Sequence, residues 1–296
     1  MRESPYLVGL IGAGVTPSLT PALHMHEAAA LGLTYVYRPI DLTLHGIDAA
    51  EIGDVLDWCE RLGFDAVNVT HPCKQSVIPF LDRVEDTAAT LGAVNTVLFT
   101  DEGRVGHNTD TSGFEEAFRS GMPDAALERV VQLGAGGAGT AVADALLRLG
   151  TRRLVIVDVD QDRAAALARD VAARHGADVR PCSPADIAAL LSDADGLVHC
   201  TPTGMADHPG IPVPEELLAP PLWVADIVYR PLETELLRAA RDAGCRVLDG
   251  GRMAVHQAVD AMELITGIRP DADRMTRHFH DLVTSDEALI REDTHR

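Results

Sequence analysis

The chain has 296 residues, of which 46% are hydrophobic and 24% are charged, a composition typical of globular proteins with one large domain or two ordinary ones. Its formal net charge is −20, so its surface repels the phosphate backbone of nucleic acids. No apolar run approaches the roughly 20 residues that a membrane span requires. We therefore expect a protein that binds neither nucleic acid nor membrane.

The cysteines and histidines do not form a metal-binding pattern. The five cysteines are odd in number, scattered and never spaced as CxxC, which favours reduced thiols in a cytoplasmic protein over disulfides or a zinc site. No HExxH motif occurs, and His24 and His26 are two residues apart, so they would point to different faces of a helix. We expect no metal. The residues do not decide between a monomer and a homodimer.

Strands and helices alternate in the first part of the chain. Apolar and amphipathic runs predict, in order, strand Leu7–Ile11, helix Pro21–Leu31, strand Tyr35–Ile40, helix Asp48–Leu62, strand Phe64–Val69 and strand Val94–Phe99. Turn residues at 101–103 then allow Arg104–His107 to pair back as a hairpin. This alternation indicates an α/β fold with βαβ units around a largely parallel sheet.

A second alternation begins at Val130. The predicted elements are strand Val130–Leu133, a helix to Leu149, strand Leu154–Asp158, helix Arg163–Arg174, strands Gly196–Cys200 and Trp223–Ile227, and helix Glu233–Ala243. From Met253 onward the sequence is helical in pattern. The boundary between the two alternating series falls within residues 108–128.

A glycine-rich loop follows the strand that ends at Leu133. Gly134, Gly136 and Gly139 fit G-x-G-x-x-G, with a strand before them, a helix after them and Asp158 about 20 residues further on. Such a loop lets a pyrophosphate approach the backbone at the helix N-terminus, while the acid accepts hydrogen bonds from the adenosine ribose. Because a carboxylate repels a 2′-phosphate, we expect NAD rather than NADP, with Arg163 near the ribose or the adenine.

Polar residues cluster at 18–21, 68–75 and 106–113, with Asn95 between the last two clusters. The 68–75 cluster directly follows a strand, where ligands of open α/β sheets bind. It contains Lys74, the only lysine among 25 basic residues. Arginine replaces lysine on most surfaces but not where a proton must leave near neutral pH, so Lys74 is predicted to take part in proton transfer. The inventory of hydroxyls, amides, one cation and one carboxylate suits a small polyol carboxylate.

Structural alternatives exist for the other clusters. Ser18 or Thr20 could cap the helix that starts near Pro21. The polar residues of Asn108–Asp110 could serve only to form a turn.

Several of these motifs, in this order, resemble the shikimate dehydrogenase family, most closely its NAD-preferring quinate/shikimate dehydrogenase branch. The resemblance covers essentially the whole chain. Its motifs are Ser18–Pro21, Asn68–Gln75, Gly92–Thr96, Gly106–Asp110, the glycine loop, Thr201–Met205, Asp249–Met253 and His256–Ala258.

The resemblance implies a reversible, NAD-dependent oxidation of a ring alcohol, quinate to 3-dehydroquinate or shikimate to 3-dehydroshikimate. Lys74 and Asp110 would form the catalytic pair, and which of them is the formal base stays open. Ser18 and Thr20 would bind the substrate carboxylate. The resemblance also implies that Thr70, Asn95 and Gln257 hold the ring hydroxyls of the substrate. Tyr229 would be a further substrate-binding residue, at the junction of substrate and nicotinamide.

The family fold implies an N-terminal α/β substrate domain (1–112), a Rossmann-type NAD-binding domain (113–249) and C-terminal helices (250–296) that return to the first domain. The cofactor-binding residues that the resemblance implies are Gly134, Gly136, Gly137, Ala138, Gly139, Asp158, Arg163, Thr201, Pro202, Met205, Gly250 and Met253.

Two departures from the shikimate-specific, NADP-using pattern support the quinate/shikimate branch. The second residue of the carboxylate-binding pair is Thr20 rather than serine, and Val157–Asp160 replaces the stretch that grips a 2′-phosphate. Two alternatives remain: an aminoshikimate-type dehydrogenase of secondary metabolism, and a non-catalytic ligand sensor on the same scaffold. The presence of both Lys74 and Asp110 argues against the sensor.

Overall fold

The computed structural model describes residues 4–294, with side chains described for 4–285. The predicted domains therefore include five terminal residues, 1–3 and 295–296, that lie outside the described part. By its internal contacts the chain divides into two compact units, Met1–Thr109 with Gln257–Arg296 (unit 1) and Asp110–His256 (unit 2). The predicted boundaries at 112 and 249 lie near these divisions, and the roles assigned to the domains stay predictions.

The elements of the first part of the chain are β1 (Tyr6–Gly12), α1 (Thr20–Ala30), β2 (Tyr35–Asp41), α2 (Leu42–His45), α3 (Ile52–Arg61), β3 (Ala66–Val69), β4 (Arg83–Val84), α4 (Asp86–Leu91), β5 (Thr96–Thr100) and β6 (Gly103–His107). Short 3₁₀ helices lie at Ala49–Glu51 and Ile78–Phe80.

The elements that follow are α5 (Asp110–Gly121), β7 (Arg129–Leu133), α6 (Gly137–Arg148), β8 (Arg153–Val157), α7 (Gln161–His175), β9 (Asp178–Cys182), α8 (Ile187–Leu191), β10 (Gly196–His199), β11 (Trp223–Asp226), α9 (Glu235–Asp242), β12 (Arg246–Leu248), α10 (Gly250–Thr266) and α11 (Ala272–Thr294). Further 3₁₀ helices lie at Pro184–Asp186 and Glu215–Leu217.

The sheet of unit 1 has the order β2-β1-β3-β5-β6-β4. Strand β1 pairs in parallel with β2 and β3, whereas β5 runs antiparallel to both β3 and β6. The predicted hairpin is confirmed as β5–β6. The carboxyl ends of β1, β2, β3 and β6 therefore lie at the same edge as the amino end of β5, and this edge is called the polar edge below.

Helices cover both faces of this sheet. Helix α3 buries Ile52, Val55, Leu56 and Cys59, the i, i+3, i+4, i+7 stripe of an amphipathic helix, in a core with β3. Met262 of α10 lies in the other core with residues of β1 and β2. The C-terminal part of α10, from Gln257, and α11 belong to unit 1, whereas the first turns of α10, up to His256, belong to unit 2.

An ion pair between α1 and α11 adds to this packing. The buried Glu27 accepts two hydrogen bonds from the Arg274 guanidinium, at 2.7 and 2.6 Å. A carboxylate as deeply buried as this one is stable only with such partners, so the pair fixes α11 against α1.

The sheet of unit 2 is parallel throughout, with the order β12-β11-β10-β7-β8-β9. Numbered within the unit, this is the 3-2-1-4-5-6 order of a Rossmann fold, and the order reverses between β7 and β10. Strands β9 and β12 were not predicted. Asp178–Cys182 carries Arg180 and Pro181 at exposed positions, and Arg246–Leu248 is only three residues long.

The described residues contain neither a membrane-spanning helix nor a cluster of metal ligands. No described helix is long and apolar enough to cross a membrane. No group of three or more potential metal ligands occurs between residues 4 and 285. The five cysteines are free thiols.

Candidate active site

The polar edge of unit 1 brings together segments that are far apart in sequence. The amide of Thr70, after β3, donates to the carbonyl of Ile11 at 2.9 Å, and that of Ala13, after β1, donates to the carbonyl of His71 at 3.0 Å. A Cβ on Gly12 would lie 2.5 Å from the Thr70 side chain, so this approach of the two loops requires glycine. The clusters at 18–21 and 68–75 thus start from neighbouring strand ends.

Lys74 lies in the turns that follow β3, and its side chain is half-buried. Its carbonyl accepts a hydrogen bond from the amide of Val94 at 2.8 Å, directly before Asn95. The amide of Cys73 donates to the carbonyl of Thr70 at 2.8 Å. These backbone bonds connect three predicted site residues, Thr70, Lys74 and Asn95, through adjacent segments of unit 1.

The loop that carries Ser18 is held by the carboxylate of Asp41 at the end of β2. Asp41 accepts hydrogen bonds from Gly14 N (2.9 Å), Thr16 N (2.9 Å) and Thr16 Oγ1 (2.7 Å), and it also caps α2. Burial opposes its ionisation, but these bonds outweigh burial and hold its pKa at about 2. The Ser18 hydroxyl accepts from Thr20 N at 3.3 Å, whereas the N-cap residue of α1 is Leu19, which makes no side-chain cap.

A largely buried chain of hydrogen bonds leads to Asn95. It is called the amide network below and consists of Tyr37, Asn68, Thr96, Asn95 and Thr109. Tyr37 donates to Asn68 Oδ1 at 2.6 Å, Asn68 Nδ2 donates to Thr96 Oγ1 at 2.9 Å, and Thr96 donates to Asn95 Oδ1 at 3.0 Å. Every bond constrains the next one, so the network fixes how the Asn95 amide is oriented.

The far end of the amide network reaches the C-terminal part of the unit. Asn95 Nδ2 donates to Thr109 Oγ1 at 3.0 Å, and Thr109 N donates back to Asn95 Oδ1 at 3.0 Å. The Thr109 hydroxyl donates to the carbonyl of Gln257 at 3.3 Å. Two predicted substrate-binding residues, Asn95 and Gln257, are thereby connected through one side chain.

In unit 2 the glycine loop lies at the point where the strand order reverses. Gly134 has φ +100°, and a Cβ there would meet the carbonyl of Cys200 at 2.6 Å. A Cβ on Gly139 would meet the carbonyl of Gly134 at 2.4 Å, so the first turn of α6 packs directly on the loop. Around Gly136 and Gly137 nothing lies within 4 Å of an added Cβ, so the backbone there is open to a ligand.

A buried glutamine in the strand before this loop forms hydrogen bonds with both ends of the loop. Gln132 of β7 donates from Nε2 to the carbonyl of Gly134 at 2.9 Å and to that of Gly139 at 2.8 Å. These bonds connect the two ends of the loop through one side chain, and they leave the outward face of the loop unobstructed.

Asp158 follows β8 and faces the same loop. Its carboxylate is buried and accepts from Ala135 N at 2.7 Å, Asp160 N at 2.9 Å and Arg163 Nη2 at 2.7 Å. Burial raises the pKa of this carboxyl, but the Arg163 hydrogen bond and the two amides outweigh burial and hold it below its usual range.

These features fit a dinucleotide. An exposed glycine backbone at the N-terminus of α6 can receive the pyrophosphate, and a carboxylate held ionised beside it can receive ribose hydroxyls. The donor set contains no cluster that would suit a metal ion instead among the described side chains.

The remaining predicted residues of unit 2 follow its other strand ends. Met205 and Tyr229 are exposed by 38% and 37%, in the segments after β10 and β11. Thr201 and Pro202 precede Met205. Gly250 starts α10 so close to the carbonyl of Ile227 that a Cβ would lie 2.4 Å away from it.

Two other predicted residues of this unit are buried. Met253 lies in the hydrophobic core of the unit. Asp110 is the first residue of α5 and is 2% exposed.

Comparisons with known proteins agree with this architecture. A family model described as the shikimate dehydrogenase substrate binding domain matches residues 10–97. A Streptomyces avermitilis protein named shikimate dehydrogenase (NADP(+)) is 57% identical over 284 residues, which are 95% of this chain and 97% of that protein. This chain belongs to the shikimate dehydrogenase family.

Other members of the family bear a different cofactor in their names. A Corynebacterium efficiens protein named quinate/shikimate dehydrogenase (NAD(+)) is 47% identical over 95% of this chain and 100% of that protein. The solved structure of quinate dehydrogenase from Corynebacterium glutamicum in complex with NAD superposes with a TM-score of 0.88 at 46% identity, covering 94% of this chain and 99% of that one.

Sequence reasoning did not identify several buried polar residues whose side chains form hydrogen bonds with the loops after the strands. They are Asp41, Gln132, His199 and Asp226. A weak signal was available, because each is a polar residue inside or at the end of a mainly apolar strand. In such a position a polar side chain must find a partner or a function.

Proposed function

We propose that this protein is an NAD-dependent dehydrogenase that reversibly oxidises quinate to 3-dehydroquinate, shikimate to 3-dehydroshikimate, or both. Membership of the shikimate dehydrogenase family over nearly the whole chain supports shikimate or quinate dehydrogenase activity with a pyridine nucleotide. The observation that carries the proposal is the glycine loop with the carboxylate of Asp158 facing it. The same chain has its only lysine, Lys74, at the polar edge of unit 1.

The chemistry requires a hydride acceptor and a proton acceptor. A bound nicotinamide dinucleotide would take the hydride at C4 of its nicotinamide ring. The hydroxyl proton of the substrate would pass to the pair formed by Lys74 and Asp110, and return from it in the reverse direction. The substrate carboxylate would be bound by Ser18 and Thr20.

The other substrate groups would be bound by two residues of the polar edge, by one residue of α10 and by Tyr229 in the segment after β11. Thr70, Asn95 and Gln257 would contact the ring hydroxyls, with Tyr229 beside the nicotinamide. The amide network supports this part of the proposal, since it holds Asn95 in one orientation before substrate arrives.

The preference for NAD rests on Asp158. A buried carboxylate that already accepts from the glycine loop would repel a 2′-phosphate and accept from a 2′-hydroxyl. Arg163 supplies a positive charge at the same place, and its side chain is 49% exposed. Some relatives are named for NADP and others for NAD, so direct comparison of kcat/KM with the two cofactors is the decisive measurement.

One spectrophotometric assay tests the activity. NAD and NADP are each supplied with quinate, shikimate and their amino analogues, and the reduced nucleotide is followed. We expect turnover of quinate or shikimate and a higher kcat/KM with NAD. Faster turnover of the amino analogues would favour an aminoshikimate-type enzyme, and binding without turnover would favour a ligand sensor.

Cofactor preference is tested by charge removal at Asp158. We expect Asp158→Asn to raise the ratio of NADP to NAD kcat/KM about tenfold, because one repulsive charge is gone. Asp162→Asn, an equal change at an exposed position in the first turn of α7, is the control and should leave the ratio within about twofold. If the wild type prefers NADP and Arg163→Ala abolishes that preference, the NAD assignment is wrong.

Proton transfer is tested at Lys74. Lys74→Met should lower kcat by about a thousandfold, within the range that general acid–base groups contribute. Lys74→Arg should not rescue it, since guanidinium does not release its proton. Cofactor affinity should not change, because the glycine loop and Asp158 belong to unit 2. Unchanged turnover in either variant would contradict the assignment.

A further inference from the structure

A fully buried histidine and aspartate lie side by side at the carboxyl ends of β10 and β11. His199 pairs in register with Asp226, and His199 Nδ1 lies 2.9 Å from Asp226 Oδ1. His199 is 0% exposed and Asp226 is 2% exposed. Burying such a polar pair costs desolvation energy that an apolar pair would not incur, so its presence calls for a role beyond packing.

The pair continues to a third side chain. A carboxylate only accepts hydrogen bonds, so the hydrogen lies on Nδ1 of His199. In that tautomer Nε2 accepts from the hydroxyl of Thr201, 2.5 Å away. Thr201 Oγ1 in turn accepts from Thr203 N at 3.3 Å. Asp226, His199 and Thr201 therefore form a carboxylate–imidazole–hydroxyl chain, called the buried triad below.

Asp226 also accepts hydrogen bonds from the segment that follows β11. Its Oδ1 accepts from Val228 N at 3.0 Å, directly before Tyr229, and its Oδ2 accepts from Thr234 Oγ1 at 2.8 Å. Thr234 is the N-cap of α9, and its hydroxyl accepts from Leu237 N at 3.2 Å. One carboxylate thus fixes the ends of two strands and the start of a helix.

The triad borders the glycine loop. Leu133, the last residue of β7 before that loop, pairs in register with His199. A Cβ on Gly134 would lie 3.1 Å from Thr201 Cγ2. The segment that begins at Thr201 is therefore the immediate neighbour of the backbone that fits a dinucleotide, on the side away from Asp158.

We propose that His199 and Asp226 are positioning residues that hold the Thr201–Met205 segment and Tyr229 in place for the nicotinamide half of the cofactor. The inference rests on the proposed function, because it assumes a nicotinamide dinucleotide in the glycine loop. Asp158 lies on the adenosine side of the loop and the triad on the other side. Loss of the triad therefore weakens contacts with nicotinamide and spares contacts with adenosine diphosphate ribose.

The test compares NAD with ADP-ribose, which lacks the nicotinamide, by isothermal titration calorimetry of the full-length protein. His199→Asn keeps an amide that can reach Asp226 but not Thr201. We expect it to bind NAD about tenfold more weakly, which corresponds to the loss of about one hydrogen bond. ADP-ribose should bind with an affinity within about twofold of that of the wild type. KM for the nucleotide should rise more than KM for quinate or shikimate.

The matched control is His175→Asn. It also removes a histidine–aspartate contact of unit 2, His175 Nε2 to Asp144 Oδ1 at 2.8 Å, but this contact joins α6 to α7. We expect that variant to lose stability only and to bind both ligands as wild type does. Equal weakening of NAD and ADP-ribose in His199→Asn, or no weakening of either, overturns the inference.

A second pair of variants keeps the test decisive if His199→Asn does not fold. Thr201→Val removes the hydroxyl at nearly constant shape and should weaken the binding of NAD but not that of ADP-ribose. Thr201→Ser keeps the hydroxyl and should bind NAD as the wild type does. Wild-type binding of both ligands is measured first, with NADP and 2′-phospho-ADP-ribose as the alternative pair. A wild type that binds no dinucleotide refutes the proposed function, whereas a wild type that binds and variants that do not discriminate refute only the role of the triad.

Discussion

Acid sensitivity of unit 1 follows from one buried histidine. His24 of α1 is 0% exposed, its ring centroid lies 4.9 Å from that of Tyr37, and its Nδ1 is 3.3 Å from the hydroxyl of Tyr35. Its Nε2 is buried without a hydrogen-bond partner in the described part of the chain. Burial lowers the pKa of His24 from the ordinary 6.5 to about 3.

The sign and size of the effect follow from this pKa. The folded protein keeps His24 neutral, while in the unfolded chain the imidazole takes up a proton as the pH falls through 6.5. Its contribution to stability is therefore complete above pH 6.5 and is lost progressively as the pH falls towards 3. Between pH 7 and pH 5 the loss amounts to about 2 kcal/mol of unfolding free energy, since each pKa unit corresponds to about 1.36 kcal/mol.

The comparison is between wild type and His24→Phe, which keeps an aromatic ring against Tyr37 but does not titrate. Urea unfolding is followed by fluorescence in a Trp223→Phe background, where Trp58 of α3 is the only tryptophan left and reports on unit 1. Lowering the pH from 7 to 5 should cost the wild type about 2 kcal/mol more than the variant.

Other histidines do not confuse this comparison. Burial also lowers the pKa values of His107 and His278, but both are present in both proteins, so their contributions cancel. Equal losses of unfolding free energy in wild type and His24→Phe would refute the reasoning. They would mean that His24 has the same pKa in the folded protein as in the unfolded chain.

Three further predictions concern buried polar groups. Gln132→Leu removes both hydrogen bonds from Nε2 to the glycine loop and should weaken NAD binding about fivefold by calorimetry, with no change in KM for quinate or shikimate. Tyr37→Phe leaves Asn68 Oδ1 without its donor and should raise KM for quinate or shikimate about fivefold in steady-state assays at saturating nucleotide. The lowered pKa of Asp41 gives stability that is present above about pH 4 and lost as the pH falls to about 2, so Asp41→Asn should flatten that part of an acid titration followed by circular dichroism.

The parts of the fold that sequence reasoning predicted are those with local signals. The strand before Gly134, the helix after it and Asp158 all lie within one βαβ unit, so these elements could be predicted from the local sequence pattern alone. The hairpin β5–β6 was predicted because its turn residues are contiguous in sequence.

The parts that were missed depend on which strands are neighbours. Asp41 is informative only once β2 is known to lie beside β1, and Asp226 only once β11 is known to pair with β10. Sequence periodicity contains no information on these pairings. Short edge strands such as β4 and β12 were missed for a related reason, because two or three residues do not define a period.

The amide network illustrates the same limit within the site. Asn95 was predicted from its motif, but its orientation depends on Tyr37, 58 positions earlier, through Asn68 and Thr96. Such a chain is assembled by β-sheet register and is invisible in any one segment. Asn95 could be predicted as a substrate-binding residue from the sequence, whereas the residues that fix its orientation could be identified only in the structure.

The solitary lysine has a practical consequence for anyone who handles this protein. A reagent selective for amines finds one side-chain target, Lys74, and the terminal amine, because arginine does not react under the same conditions. Coupling to a sensor surface, fluorophore labelling and aldehyde cross-linking would all converge on the residue proposed to move the proton. Immobilisation through carboxylates is the safer route, because all five cysteines are buried or partly buried and Cys73 adjoins Lys74.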